Sequence, residues 1–144
     1  MSRKRITTAS AKDKGRRLQK MIAEKIGELL DVRVGKDEPV APREMSQTGT
    51  DIRIVGEYRK HFPFAVECKW QERWDIPGWI KQAKANTDPD NDYLTWLLFV
   101  KKNRSDVYVV LEADALFKIL SAANMNELYT LLKGGKNESK SSTR

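Results

Sequence analysis

One segment near the centre of the chain constrains the fold more than any other, because apolar and charged residues alternate along it from Phe64 to Trp70. Successive side chains of a β-strand point to opposite faces, so this alternation predicts a strand with one apolar face. Glu67 and Lys69 then leave the other face side by side. The fold must therefore contain a sheet in which one strand presents an acid and an amine together.

The rest of the pattern places helices on both sides of this strand. Apolar residues recur at helical spacing in some segments and alternate or run continuously in others. Short strands interleaved with helices predict an α/β (α+β) fold, with a short mixed central sheet flanked by helices. The predicted elements are a helix over 12–31, a loop over 35–49, a strand over 51–55, a helix over 79–85, a hairpin of strands 93–100 and 107–111, and helices over 113–120 and 126–132.

The length and the charge distribution bound the organisation of the chain. A chain of 144 residues suffices for one ordinary domain with one core, and we predict this domain over residues 12–133. Residues 1–25 hold nine basic and two acidic side chains and so account for the whole net charge of +7. We predict a basic disordered arm over 1–11 that contacts a polyanion, or alternatively only aids solubility. A Lys/Ser-rich tail over 134–144 is predicted to be disordered.

Several classes of protein are excluded by the composition. The chain has no apolar run long enough for a membrane span and no apolar signal segment after Met1, so we expect it in the cytoplasm of a bacterial or phage-infected cell, without a membrane partner. Cys68 is the single cysteine and His61 the single histidine, which rules out an internal disulfide and a Cys/His zinc cluster. A bound metal must be held by oxygen atoms.

Asp51 and Glu67 are the candidate metal ligands. If their two strands pair, the carboxylates converge across the sheet and form a binding site for Mg²⁺. Mn²⁺ should be able to replace Mg²⁺ there. The backbone carbonyl of Cys68 is a candidate third oxygen. Lys69 could then orient or deprotonate an attacking water, or offset charge on a scissile phosphate. The alternative is that Glu67 and Lys69 form an ordinary surface pair.

At this point the sequence resembles the PD-(D/E)xK nuclease superfamily. The resemblance lies in Gly49-Thr50-Asp51-Ile52, in the segment from Phe64 to Lys69 and in Gln82 on the next helix. Two further segments, from Lys14 to Gln19 and from Ile80 to Asn86, are similar to small phage and archaeal Holliday junction resolvase-like endonucleases. Together these matches span about residues 12–111.

The resemblance implies a restriction-endonuclease-like αβββαβ core, Mg²⁺-dependent cleavage of DNA and often a homodimer. It assigns metal binding to Asp51 and Glu67, the catalytic lysine to Lys69 and a supporting polar role to Gln82. Thr50 stands where the motif usually has proline.

A second departure concerns the first helix, where archaeal resolvases offer a glutamate to the metal site. Gln19 occupies the matching position, and with about 100° per residue it falls inside the apolar arc of the helix, whereas Glu24 falls outside it. A polar side chain on a core-facing arc needs a partner, and the site could provide one, as could nearby backbone. We therefore count Gln19 as a candidate site residue and expect Glu24 to be a solvated acid, with a contact to the metal as the alternative.

Basic side chains are the candidate DNA contacts. Those on the first helix, on the short helix after the catalytic strand and in the predicted hairpin could touch phosphate if they share the active face, or could simply be solvated. They are Lys14, Arg16, Arg17, Lys81, Lys84, Lys101, Lys102 and Arg104. Three tryptophans, Trp70, Trp74 and Trp79, could stack on bases, although core packing is the favoured interpretation.

The leading hypothesis is a metal-dependent, structure-selective DNA endonuclease, similar to a Holliday junction resolvase, that acts on branched recombination intermediates as a homodimer. One alternative is a nickase or restriction-like nuclease on linear duplex. Another is a DNA-binding accessory protein without catalysis. Candidate interface residues are the apolar run from Trp96 to Phe99 and the later residues Leu116, Phe117 and Leu120.

Overall fold

The computed structural model describes the backbone of residues 7–44, 47–87 and 93–141, and side chains as far as residue 135. Its contacts divide the chain into two compact units, Met1–Leu111 and Glu112–Arg144. The predicted arm over residues 1–11 falls largely outside the described part, and Thr8 to Ala11 already belong to the first helix.

Helix α1 spans Thr8–Leu30. The side chain of Thr7 caps it by accepting a hydrogen bond from the backbone N–H of Ser10, which satisfies one of the free donors of the first turn. The helix ends at Asp31, whose φ of 55° lies in the left-handed region, and the Asp31 N–H donates back to Glu28 O. Its buried face packs on the sheet and consists of Leu18, Ile22, Ala23, Ile26 and Gly27.

A small antiparallel sheet follows, made of β1 (Val40–Pro42) and β2 (Ile52–Ile54). The prediction of an uninterrupted loop over 35–49 is therefore wrong, since a strand of three residues is too short to show a period. β2 pairs with β1 and forms no hairpin with the next strand. Asp51, just before β2, nevertheless reaches that next strand, because its N–H donates to Val66 O at 2.9 Å.

The main sheet contains β3 (Phe64–Trp70), β4 (Thr95–Lys101) and β5 (Tyr108–Val110) in that order. β3 and β4 are parallel, whereas β4 and β5 are antiparallel, so the prediction of a mixed sheet with a β4–β5 hairpin is confirmed. Parallel strands require a crossover, which α2 (Ile76–Ala85) supplies. The order α1-β1-β2-β3-α2-β4 is the expected restriction-endonuclease-like αβββαβ core.

Both faces of β3 and β4 are covered, because α1 packs against β3 and α2 packs against both strands. The alternative that Glu67 and Lys69 form an ordinary surface pair is wrong, since both acids are buried: Asp51 is 5% exposed and Glu67 is 1% exposed. The apolar run of β4 is likewise buried within the chain at Trp96, Leu97 and Leu98. This run therefore needs no second subunit to cover it.

The second unit contains α3 (Ala113–Ala122) and α4 (Met125–Ser141). α3 has no buried residue, and large apolar side chains of both helices are exposed. α4 continues through Gly134 and Gly135 to Ser141, whereas the sequence predicted a disordered tail from Gly134. None of the described helices combines the length and the apolar character that a membrane crossing requires.

Candidate active site

Asp51 is fixed against the edge of β3. In addition to its backbone bond to Val66, its carboxylate oxygen Oδ2 accepts a hydrogen bond from the Cys68 backbone N–H at 2.8 Å. These two bonds on alternate residues of β3 hold Asp51 beside the strand, although β2 itself pairs elsewhere. The carboxylate is thus positioned by backbone groups, which cannot change rotamer.

Glu67 lies at the centre of β3, where its carboxyl shares a hydrogen bond with Asp51 and accepts another from the Asn86 side-chain amide. Burial, the Asp51 charge and the hydrogen bond with Asp51 raise the pKa of Glu67 from 4.5 to about 7. Burial raises this pKa because water no longer solvates the charged form, and two close like charges oppose a second ionisation. The two candidate carboxylates therefore lie close enough to influence each other's ionisation.

Sequence reasoning missed two further side chains that bond to the carboxylates. Arg43 places a guanidinium nitrogen 3.1 Å from Asp51 Oδ1 and also donates to Gly49 O. Arg43 lies in the segment predicted as a loop, where no periodicity or motif indicated a functional residue. Asn86 caps the C-terminus of α2, four residues after Gln82 and so on the same face of the helix. This spacing was the available signal for Asn86.

Lys69 and Cys68 flank the pair along β3. The partly exposed Lys69 lies on the same strand face as Glu67, and its charge lowers the pKa of Glu67 slightly against the larger raising effects. The Cys68 thiol is buried, which raises its pKa well above 9.0 and makes it a poor nucleophile. A strand residue directs its N–H and C=O to the same edge, so the Cys68 carbonyl shares the edge of β3 that Asp51 occupies.

Gln82 and Gln19 are not brought to the carboxylates. Gln82 is exposed on α2, and its side chain makes no hydrogen bond within the described part of the chain. Gln19 lies within the buried arc of α1 and is partly exposed, while Glu24 is exposed. Gln19 and Glu24 both line a cavity of about 440 Å³, which is also lined by Arg43, the partner of Asp51.

The candidate DNA contacts are distributed over several surfaces. Arg17 and Lys101 stack on Trp70, with 5.3 Å and 4.7 Å from the cation to the ring centroid, and Lys102 lies 4.9 Å from the ring centroid of Trp74. Trp79 is buried in the core, as the favoured interpretation predicted. The remaining candidates are surface side chains, exposed except for the partly buried Lys14: Lys14, Arg16, Lys81, Lys84 and Arg104.

The donor set fits a hard divalent cation. Asp51 and Glu67 are buried together, and burial first and the neighbouring Asp51 charge second raise the pKa of Glu67, so a bound cation would favour its charged form. No group of three His, Cys, Asp or Glu side chains suited to a metal occurs among the described residues. Magnesium sites commonly use only one or two carboxylates, with water and substrate phosphate completing the shell.

The fold and this site together define a class of protein. An αβββαβ core that carries Asp51 beside the Glu67-x-Lys69 triplet is the arrangement of PD-(D/E)xK nucleases. A family model described as "Phage putative PDDEXK endonuclease" matches residues 10–142. The chain belongs to this endonuclease family, which confirms the superfamily resemblance. Comparisons with curated proteins and with solved structures found no match.

Proposed function

We propose that the protein is a metal-dependent, structure-selective DNA endonuclease of the Holliday junction resolvase type, which hydrolyses phosphodiester bonds in branched DNA. The observation that carries the proposal is the buried pair Asp51 and Glu67, whose carboxyl groups interact, beside Lys69. A buried pair of acids costs folding free energy, and such arrangements are typical of functional sites. Membership in an endonuclease family supports the same chemistry.

In this proposal Asp51, Glu67 and the Cys68 carbonyl hold Mg²⁺, and Mn²⁺ should replace it. A divalent cation at such a site supplies a hydroxide near neutral pH and offsets the negative charge of the phosphoryl transition state. Lys69, next to Glu67, orients or deprotonates the attacking water, or offsets charge on the phosphate. Asn86 and Arg43 position the two carboxylates, because each bonds one of them directly.

A four-way junction needs two symmetric incisions, and two sites related by a two-fold axis supply them. We therefore propose a homodimer. The exposed apolar residues of the unit Glu112–Arg144 are a surface that a second copy of the chain could cover. The largest exposed fractions among them belong to Phe117, Tyr129, Leu131 and Leu132. Light scattering without DNA should then return about twice 16.6 kDa.

The test compares a labelled four-way junction with a linear duplex of the same sequence, both incubated with the protein and Mg²⁺ and resolved on a denaturing gel. Paired symmetric nicks in the junction alone support the proposal. Cutting of both substrates supports a nickase or restriction-like nuclease instead. Binding without any cleavage supports a DNA-binding accessory protein.

Variants separate the site from the rest of the surface. Asp51→Asn should abolish cleavage and leave binding intact, since it removes a ligand charge and a charge that repels phosphate. Asp106→Asn is the matched control, because Asp106 is exposed in the β4–β5 turn. This variant should cut DNA like the wild type. Full activity of Asp51→Asn, or activity undiminished by EDTA, would overturn the site assignment.

A further inference from the structure

Two cavities beside the candidate active site share three lining residues, Arg43, Gln47 and Arg53. The first cavity, of about 440 Å³, lies between α1 and β1. The second, of about 350 Å³, extends past the turn after Gly49 to Asn86 and Tyr93. The shared residues border both cavities, so the two cavities adjoin, and we refer to the pair as one groove.

The groove is strongly basic. Among the described residues, six cationic side chains line it, against two acidic ones, Glu24 and Glu44, both of which lie in the first cavity. Within the described part of the chain, no acidic residue lines the second cavity. We name this surface the basic groove and define it by its cations: Arg16, Lys20, Lys36, Arg43, Arg53 and Arg59.

Two arginines of the groove are held by backbone carbonyls. Arg53 donates to Lys36 O at 2.8 Å, and Arg59 donates from Nε to Ile54 O at 2.7 Å. Arg59 also lies 4.6 Å from the ring centroid of Tyr93. Side chains fixed in this way lose little conformational freedom when they bind an anion, so the groove is preorganised.

The basic groove contains one bonding partner of each carboxylate. Arg43 lines both cavities and pairs with Asp51, and Asn86 lines the second cavity and donates to Glu67. The aromatic surface around Trp70 is placed differently, since Trp70 leaves β3 on the face opposite to Glu67. There Arg17 and Lys101 already stack on the ring, and Lys101 also donates to Ser105 O.

From these placements we propose that the basic groove binds the phosphate backbone of the DNA strand that enters the candidate active site. This inference rests on the proposed function and specifies where its substrate lies. Evenly spaced phosphates suit a row of fixed cations, and each neutralised phosphate releases a condensed counterion. Binding therefore depends on salt in proportion to the number of groove contacts.

The test uses two exposed lysines of α1 that lie on different faces. Lys20 lines the basic groove, whereas Lys25 lines none of it and pairs with Glu28. Affinity for a labelled duplex is measured by fluorescence anisotropy across a salt series in EDTA, so that no cleavage occurs. Lys20→Gln should flatten the slope of log affinity against log salt by about 0.9, and Lys25→Gln should leave it unchanged.

The double variant Arg16→Gln with Lys20→Gln should flatten the slope by about 1.8, from about 0.9 for each lost contact. Glutamine keeps good helix propensity, and unchanged far-ultraviolet spectra check the fold. Equal slopes in all proteins, or equal losses for Lys20→Gln and Lys25→Gln, would overturn the groove assignment. Because binding is measured without metal, a protein that shows the groove effect but never cuts refutes only the proposed function.

Discussion

Replacing Glu67 by glutamine tests, independently of any cleavage assay, whether the buried charge of the candidate site lowers the free energy of unfolding. Glutamine is the neutral isostere of glutamate, so its amide can donate to Asp51 while its oxygen still accepts from Asn86. Both hydrogen bonds of the wild-type site are thus retained. The substitution removes one buried charge and little else, and we expect it to stabilise the fold at neutral and basic pH.

The magnitude follows from the pKa of Glu67, which rises from 4.5 to about 7 on folding. Below pH 4.5 both states hold the proton, so the group has no effect. As the pH rises towards 7, the unfolded chain loses its proton and the folded chain keeps it, so stability falls. Above pH 7 the full penalty is present, about 3 kcal/mol as an order of magnitude at about 1.4 kcal/mol per tenfold shift.

Urea unfolding at pH 5 and pH 8 in EDTA measures the effect. All four tryptophans lie within Met1–Leu111, so their fluorescence reports this unit alone. At pH 8 we expect Glu67→Gln to be more stable than the wild type by about 3 kcal/mol, and at pH 5 by less than about 1 kcal/mol. Glu57→Gln, at an exposed acid, should match the wild type at both values of pH.

Two outcomes would refute this reasoning. If Glu67→Gln is less stable than the wild type at pH 8, the carboxylate contributes favourable contacts that outweigh its burial. If the difference from the wild type does not change with pH, Glu67 does not titrate with an elevated pKa. In either case the two buried acids would not lower the stability of the fold in the way that a bound cation would offset.

Three further predictions concern packing and chemistry. Gly27→Ala should destabilise the fold by about 1–3 kcal/mol in thermal unfolding, because the new Cβ would lie 2.5 Å from Val34 Cγ2, and a gain in stability would contradict this packing. Leu98→Ala, at a fully buried position of β4, should lower the free energy of unfolding in urea by about 2–5 kcal/mol. A loss below about 1 kcal/mol would show that neighbouring side chains fill the cavity that the substitution leaves. Lys69→Met should lower the cleavage rate at least about 100-fold while duplex affinity in EDTA stays within about threefold, and an unchanged rate would remove Lys69 from the chemistry.

Much of the fold was predictable because its signals are local. The alternation from Phe64 to Trp70 defined β3 with its bounds, and the apolar arc of α1 located Gln19 on the core-facing side. The turn-separated apolar runs predicted the β4–β5 hairpin. Strand β1 escaped prediction, since its three residues carry too little periodicity to distinguish them from the surrounding loop.

The sequence by itself determined which residues share a face: the two-residue period of β3 puts Glu67 beside Lys69 whatever surrounds them. Only the tertiary structure decided what covers that face. The crossover helix α2 covers Glu67 and brings Asn86 to it. The backbone of β3 fixes Asp51, which is distant from that strand in sequence, and Arg43 supplies the opposite charge. Periodicity depends on neighbouring residues, whereas burial and pKa depend on distant segments that pack together, so the sequence pattern could name the two acids but not show that they are buried as a pair.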